Sequence, residues 1–236
     1  PAQLPPVSGA GAFVARDPDV FLTEVHRQAA ESPILRIATM LRQGKMPDFG
    51  DYGDGVTVER LTKETAQKVY REDTQPVVAL NRVRQTINRQ IREMRGFEGV
   101  LPCAGERVMC CRNNRDLGIF NGAIGTTTTD AKRLLDGQHI RFSVDMEDRG
   151  ELKALPSHPA LFEAHFDGTV EKPEHLQKGI ELFDFGYALT CHKAQGSEFD
   201  DVTVVDDAGA FRADQWKWRY TAATRASERL TLLRRV

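Results

Sequence analysis

Apolar positions along the chain follow two rhythms, one of buried strands and one of helices. Ser32 and Pro33 form a cap followed by a first-turn proline. Behind them Ile34, Leu35, Ala38 and Leu41 make a helical stripe that stops at Gly44. Upstream, residues 21–25 alternate enough to be a strand. Val56-Thr57-Val58 reads as a short strand and residues 63–70 as a helix. Pro76-Val77-Val78-Ala79-Leu80 is continuously apolar, as a parallel strand covered on both faces requires. A helix follows from Arg82 to Arg95. Its spacing puts Val83, Ile87, Ile91 and Met94 on one face and Arg82, Arg84, Arg89, Arg92 and Arg95 on the other, a basic face that is either merely solvated or turned toward an anion.

Between residues 99 and 183 the rhythm changes. Residues 105–111 and 120–125 read as short strands joined by glycine turns, and residues 140–146 alternate, so a small β-barrel module is expected inside an α/β domain. Residues 155–178 hold His158, His165, His175 and several prolines without periodicity and read as loop or extended arm. The strand–helix rhythm returns at residues 186–190, a strand leading into Cys191. Val202-Thr203-Val204-Val205 is another buried strand, residues 220–226 are helix-like, and residues 230–233 form a closing strand. Strands alternating with helices predict a parallel sheet flanked by helices.

Composition narrows the picture. The 236 residues include 40% hydrophobic and 28% charged ones, which fits a folded domain with a core. The net charge of −2 excludes a bulk polycation that grips nucleic acid by charge alone, but allows a local basic surface. Apolar runs are far short of the roughly 20 residues that cross a bilayer, and no basic-then-apolar leader begins the chain, so a cytoplasmic protein with no membrane partner is expected. Cys103, Cys110, Cys111 and Cys191 lack zinc-knuckle spacing and read as reduced structural thiols, with no metal site expected. The start, Pro1-Ala2-Gln3-Leu4-Pro5-Pro6-Val7 without Met, suggests a piece of a longer polypeptide.

The chain contains no GxxxxGK(S/T) phosphate loop, no GxSxG elbow and no HExxH, so no complete nucleotide site can be built from it. It offers polar and arginine residues at the ends of predicted strands, where open α/β sheets present ligand-binding groups. Such a domain suits a site shared with another. The run Thr190-Cys191-His192-Lys193-Ala194-Gln195-Gly196-Ser197-Glu198-Phe199-Asp200, followed by Tyr220-Thr221-Ala222-Ala223-Thr224-Arg225-Ala226, resembles motifs V and VI of superfamily 1 (1B) DNA helicases of the RecD-like and Dda-like kind. Leu22-Thr23-Glu24-Val25-His26-Arg27-Gln28 resembles motif IV, and Gln3-Leu4-Pro5-Pro6-Val7 the tail of motif III.

The resemblance implies the second RecA-like domain of a two-domain motor, lacking its own phosphate loop and carrying an inserted SH3-like barrel. Residues 1–12 would be the motif III tail and linker, 13–112 and 183–236 the two parts of the RecA-like domain, and 113–182 the insertion. It also implies roles. Arg27 and Arg225 would be catalytic fingers reaching the γ-phosphate of ATP. Gln3, Gly196 and Glu198 would join them around the nucleotide, with Mg2+ held mainly by the N-terminal RecA-like domain, this chain's first partner. Thr190, His192 and Lys193 would contact single-stranded DNA, and Asn81 with Arg82 forms a further DNA candidate. The implied protein is an ATP-dependent helicase, moving 5′ to 3′ and serving replication, recombination or repair with other such proteins. A non-catalytic nucleic-acid-binding or docking module of a RecD-like exonuclease (exodeoxyribonuclease V type) complex is the alternative. Trp216 and Trp218 could stack on bases or simply pack.

Overall fold

The computed structural model describes residues 32–71, 73–168, 170 and 173–236. Gln3, Arg27 and the strand expected at 21–25 lie outside the described residues. The chain divides into two compact units, residues 1–84 with 189–236 and residues 85–188.

The first unit is built on a parallel sheet. Pro33 starts helix α1 (Pro33–Arg42), which buries Ile34, Ile37, Ala38 and Leu41 as the stripe predicts. Strand β1 (Gly50–Asp51) pairs antiparallel with β2 (Val56–Arg60), and helix α2 (Lys63–Arg71) follows. Then come the fully buried β3 (Gln75–Val78) and helix α3 (Asn81–Met94). After the second unit the chain forms the two-residue β10 (Leu189–Thr190) and the single-turn α5 (Cys191–Ala194). It continues through β11 (Phe199–Val205), a 3-10 helix (Ala208–Asp214), α6 (Gln215–Ala223) and β12 (Ala226–Arg234). The order across the sheet is β1-β2-β12-β11-β3-β10, with every pair after the first parallel. Val77, Val202, Val204, Leu230 and Leu232 are buried within it, and α1 packs on α6, whose Trp218 is fully buried. For Trp218 packing is thus the observed role.

The second unit contains β4 (Arg107–Cys110), β5 (Ile124–Thr127), β6 (Lys132–Arg133), β7 (Ile140–Met146), β8 (Gly150–His158), α4 (Ala160–Glu163) and β9 (Glu181–Phe185), with the body of α3. Its pairings run β5-β4-β9-β8-β7 and return from β7 to β5, closing a ring of five strands in which only β8 with β9 is parallel. Closure demands a glycine at 125: a Cβ there would lie 2.6 Å from the Asp145 carbonyl oxygen. Phe142, Phe162, Phe183 and Phe185 meet edge to face in the core, where the edges of the rings carry the positive end of the quadrupole.

Three expectations are changed. The boundaries placed after residues 112 and 182 fall inside the second unit, because β4 and β9 are hydrogen-bonded members of the ring. The aperiodic stretch 155–178 begins with the end of β8 and then contains α4; Pro156 and Ala154, the latter at φ +52°, disguise the strand. The helix α3 does not separate an apolar face from an arginine face. Met94 is exposed, whereas Arg84, Asn88 and Arg92 are buried beside Ile87 and Ile91.

Those buried polar groups have partners. Asn88 donates to the Phe185 carbonyl and accepts from the Ala188 N–H. Arg92 grips both Glu106 oxygens at 2.7 and 2.9 Å, donates to the Gly99 carbonyl, and lies 4.3 Å over the Phe185 ring. Tyr187 donates its hydroxyl to Glu106, and burial beside that carboxylate pushes its pKa up. No disulfide joins the four cysteines, and burial raises the Cys191 thiol to about 12.

Candidate functional site

The parallel sheet sorts the expected site residues onto two ends. Thr190 closes β10 in register with Val78 at the end of β3, and Asn81 and Arg82 follow β3, so these lie at the carboxyl end of the strands. Glu198 immediately precedes β11 and Arg225 immediately precedes β12, so these lie at the amino end. The seven residues of β11 between the ends span roughly 20 Å at about 3.3 Å per residue.

At the carboxyl end Asn81 and Arg82 are exposed, His192 and Lys193 are half-buried, and Thr190 is only 6% exposed. His192 has its ring centroid 5.7 Å from that of Phe211, and burial lowers its pKa below the ordinary value. A neutral imidazole offers a hydrogen bond or a ring face to a ligand, not an ion pair. Beside Arg82 lies a cleft of about 470 Å3, lined by Leu80, Val83, Asp206, Asp207, Gly209 and Arg235 among others. It collects the exits of β2, β3, β11 and β12, the crevice in which open α/β sheets bind ligands.

Two residues here were not singled out from the sequence. Asp207 accepts from the backbone N–H groups of Ala79 (2.5 Å) and Leu80 (3.0 Å). Burial raises its pKa, against the lowering effect of those two bonds. Asp206 accepts from Arg219 Nε at 2.9 Å, a pair almost wholly buried. The only signal in the sequence was an Asp-Asp step directly after a buried strand.

At the amino end Gly196 adopts φ +92°, with nothing within 4 Å of where a Cβ would stand. Backbone conformation, not space, therefore calls for glycine. Glu198 is exposed. Arg225 is half-buried and donates through Nε to the Thr221 carbonyl at 3.1 Å and through Nη1 to the Ser197 carbonyl at 2.9 Å. Its Nη2 donates to the Thr224 hydroxyl at 3.3 Å, and N–H donors remain for an anion. The side chain is fixed in place on α6 and on the loop that carries Gly196 and Glu198. Among the described residues no group of three or more His, Cys, Asp or Glu could hold a metal ion. No helix among them is long and apolar enough to cross a membrane.

Thr190, His192, Lys193, Gly196, Glu198 and Arg225 all fall within one matched segment. Residues 185–233 match the UvrD-like helicase C-terminal domain. The chain is 28% identical over 251 aligned residues to the ATP-dependent RecD2 DNA helicase of Deinococcus radiodurans, covering 96% of this chain and 30% of that protein. The chain thus spans about a third of the length of that curated relative. The crystal structure of the Pif1 helicase from Candida albicans superposes with a TM-score of 0.53 at 17% identity, over 98% of this chain and 62% of that one. At this identity the likeness concerns the fold: a mixed α/β domain with a parallel sheet. Over residues 185–233 the chain is thus similar to a helicase C-terminal domain.

Proposed function

We propose that the chain is the second RecA-like domain of an ATP-dependent DNA helicase of the RecD-like type, with residues 85–188 as an inserted SH3-like module. The observation that carries the reading is the arrangement of residues 185–233, where one short stretch of chain links a candidate DNA end and a candidate nucleotide end of the same sheet. Arg225 would present its remaining N–H donors to the γ-phosphate of ATP bound on a first domain. A planar cation placed there neutralises charge as it develops, and such fingers are worth roughly 10³ to 10⁵ in rate. Arg27 would be the second finger, Gln3 would sense the γ-phosphate, and Gly196 with Glu198 would line the nucleotide.

At the other end Asn81, Arg82, Thr190, His192 and Lys193 would hold single-stranded DNA. Arg82 and Lys193 would supply charge, and the buried Thr190 and neutral His192 would supply hydrogen bonds or a ring face. Opening and closing around ATP would move the strand 5′ to 3′.

The 236-residue chain alone should bind single-stranded DNA weakly and hydrolyse no ATP; robust turnover by it would overturn the reading. In a polypeptide that also carries the phosphate-loop domain, Arg225→Ala should lower kcat for ATP by about 10³ or more with single-strand binding still measurable. Full hydrolysis by that variant would refute the finger role.

A further inference from the structure

The end of β11 joins the two candidate sites through adjacent carboxylates that face different neighbours. On one side Asp206 Oδ2 takes the Arg219 Nε hydrogen bond while its Oδ1 accepts the Ala208 N–H at 3.1 Å. Arg219 is itself braced: Nη1 donates to Gln215 Oε1 at 2.9 Å, and the guanidinium lies 4.7 Å over the Trp216 ring. It belongs to α6, the helix that ends one residue before Thr224-Arg225.

On the other side the backbone ladder between β11 and β3 stops at Val204 opposite Val77. The Asp207 carboxylate continues it, one oxygen to each of the Ala79 and Leu80 N–H groups. Asn81 and Arg82 come next. Charge-assisted bonds of this kind are about twice as strong as neutral ones, and a fixed strand end makes the two grips part of one rigid piece.

We propose that Asp206 and Asp207 are positioning residues that yoke the helix bearing Arg225 to the turn bearing Asn81 and Arg82, so that nucleotide contact at one end of the sheet biases single-strand affinity at the other. The inference rests on the reading of those residues given above. A shift of α6 pulls the end of β11 through Asp206, and the end of β11 carries the turn through Asp207. Reciprocity follows: DNA on the turn must alter nucleotide affinity by the same factor.

The test uses the polypeptide that also carries the phosphate-loop domain. Single-strand affinity is measured by fluorescence anisotropy with a labelled oligo-dT, with and without a non-hydrolysable ATP analogue. The ratio of the two dissociation constants is the coupling factor, about 5- to 150-fold in typical coupled sites. Asp206→Asn and Asp207→Asn should each bring the ratio toward 1, and the double variant should do no more than either single one. Arg219→Gln, which cuts the same link without altering β11, should reproduce the Asp206→Asn result and decides the matter if the aspartate variants fail to fold.

A merely structural role would lower the melting temperature and leave the ratio intact, and an unchanged ratio in folded variants overturns the inference. Arg82→Ala and Arg225→Ala run beside them as controls of the underlying reading. If Arg82→Ala leaves DNA affinity unchanged and Arg225→Ala leaves hydrolysis unchanged, that reading falls and the inference falls with it. If both controls lose function while the ratio survives in the aspartate variants, only the yoke fails.

Discussion

At the scale of single residues, conformation and partner decide more than identity. Gly196 sits in open space, so replacing it costs only backbone strain: Gly196→Ala should destabilise the fold by about 1 to 2 kcal/mol, read from urea unfolding. A loss above about 4 kcal/mol would show a contact that the geometry does not contain. Asp207 illustrates what sequence conceals. Its partners lie 128 and 127 residues away, and an acidic pair after a strand looks like ordinary surface until the fold brings Ala79 and Leu80 beneath it. Arg225, in contrast, stands out through the motif VI resemblance, and the fold adds only its anchors, the Thr221 and Ser197 carbonyls.

At the scale of elements, the uniformly apolar strands, the alternating β7 and the amphipathic α1 match their sequence patterns, whereas the faces of α3 do not. Residues 76–80 and 202–205 announce buried parallel strands because every side chain meets another layer. On α3, periodicity divided apolar from basic positions. Folding instead buries Arg92 against Glu106, a partner 14 residues away, and Asn88 against Phe185, 97 residues away. Helical periodicity cannot anticipate an ion pair closed by another segment. Arg92→Ala would strand a fully buried carboxylate, so it should cost about 3 to 5 kcal/mol in chemical unfolding. The double replacement Arg92→Met with Glu106→Leu should recover most of that loss. A single variant as stable as the parent would mean that the pair contributes nothing.

At the scale of the whole molecule, burial of imidazoles contributes to the response to acid. His158 is lowered first by desolvation and then by the nearby His139, and His192 by desolvation. Each folded-state value lies below the ordinary 6.5, so the unfolded chain takes up protons first as pH falls. Above that pH both states carry neutral rings and nothing is lost; below it stability declines until the folded rings also protonate. Melting temperature should therefore fall as pH drops below about 6.5, and His158→Gln should flatten the slope. A slope unchanged in His158→Gln would remove that ring as a cause. Asp207, raised by burial, works in the opposite sense, since its native carboxyl holds a proton at a pH where the unfolded one has lost it.

The two sheets end in ways that bear on how the molecule behaves at high concentration. An unpaired strand edge is a template for another chain, and its reach grows with the number of exposed N–H and C=O groups in a row. The parallel sheet is terminated by β1 on one side and β10 on the other, each only two residues long, and the ring of the second unit returns on itself. Edge-to-edge growth therefore finds little to grip among the described residues. A sheet whose end strands are this short can carry an all-apolar interior such as Val202, Val204, Leu230 and Leu232 without inviting the stacking that such strands promote when they lie exposed.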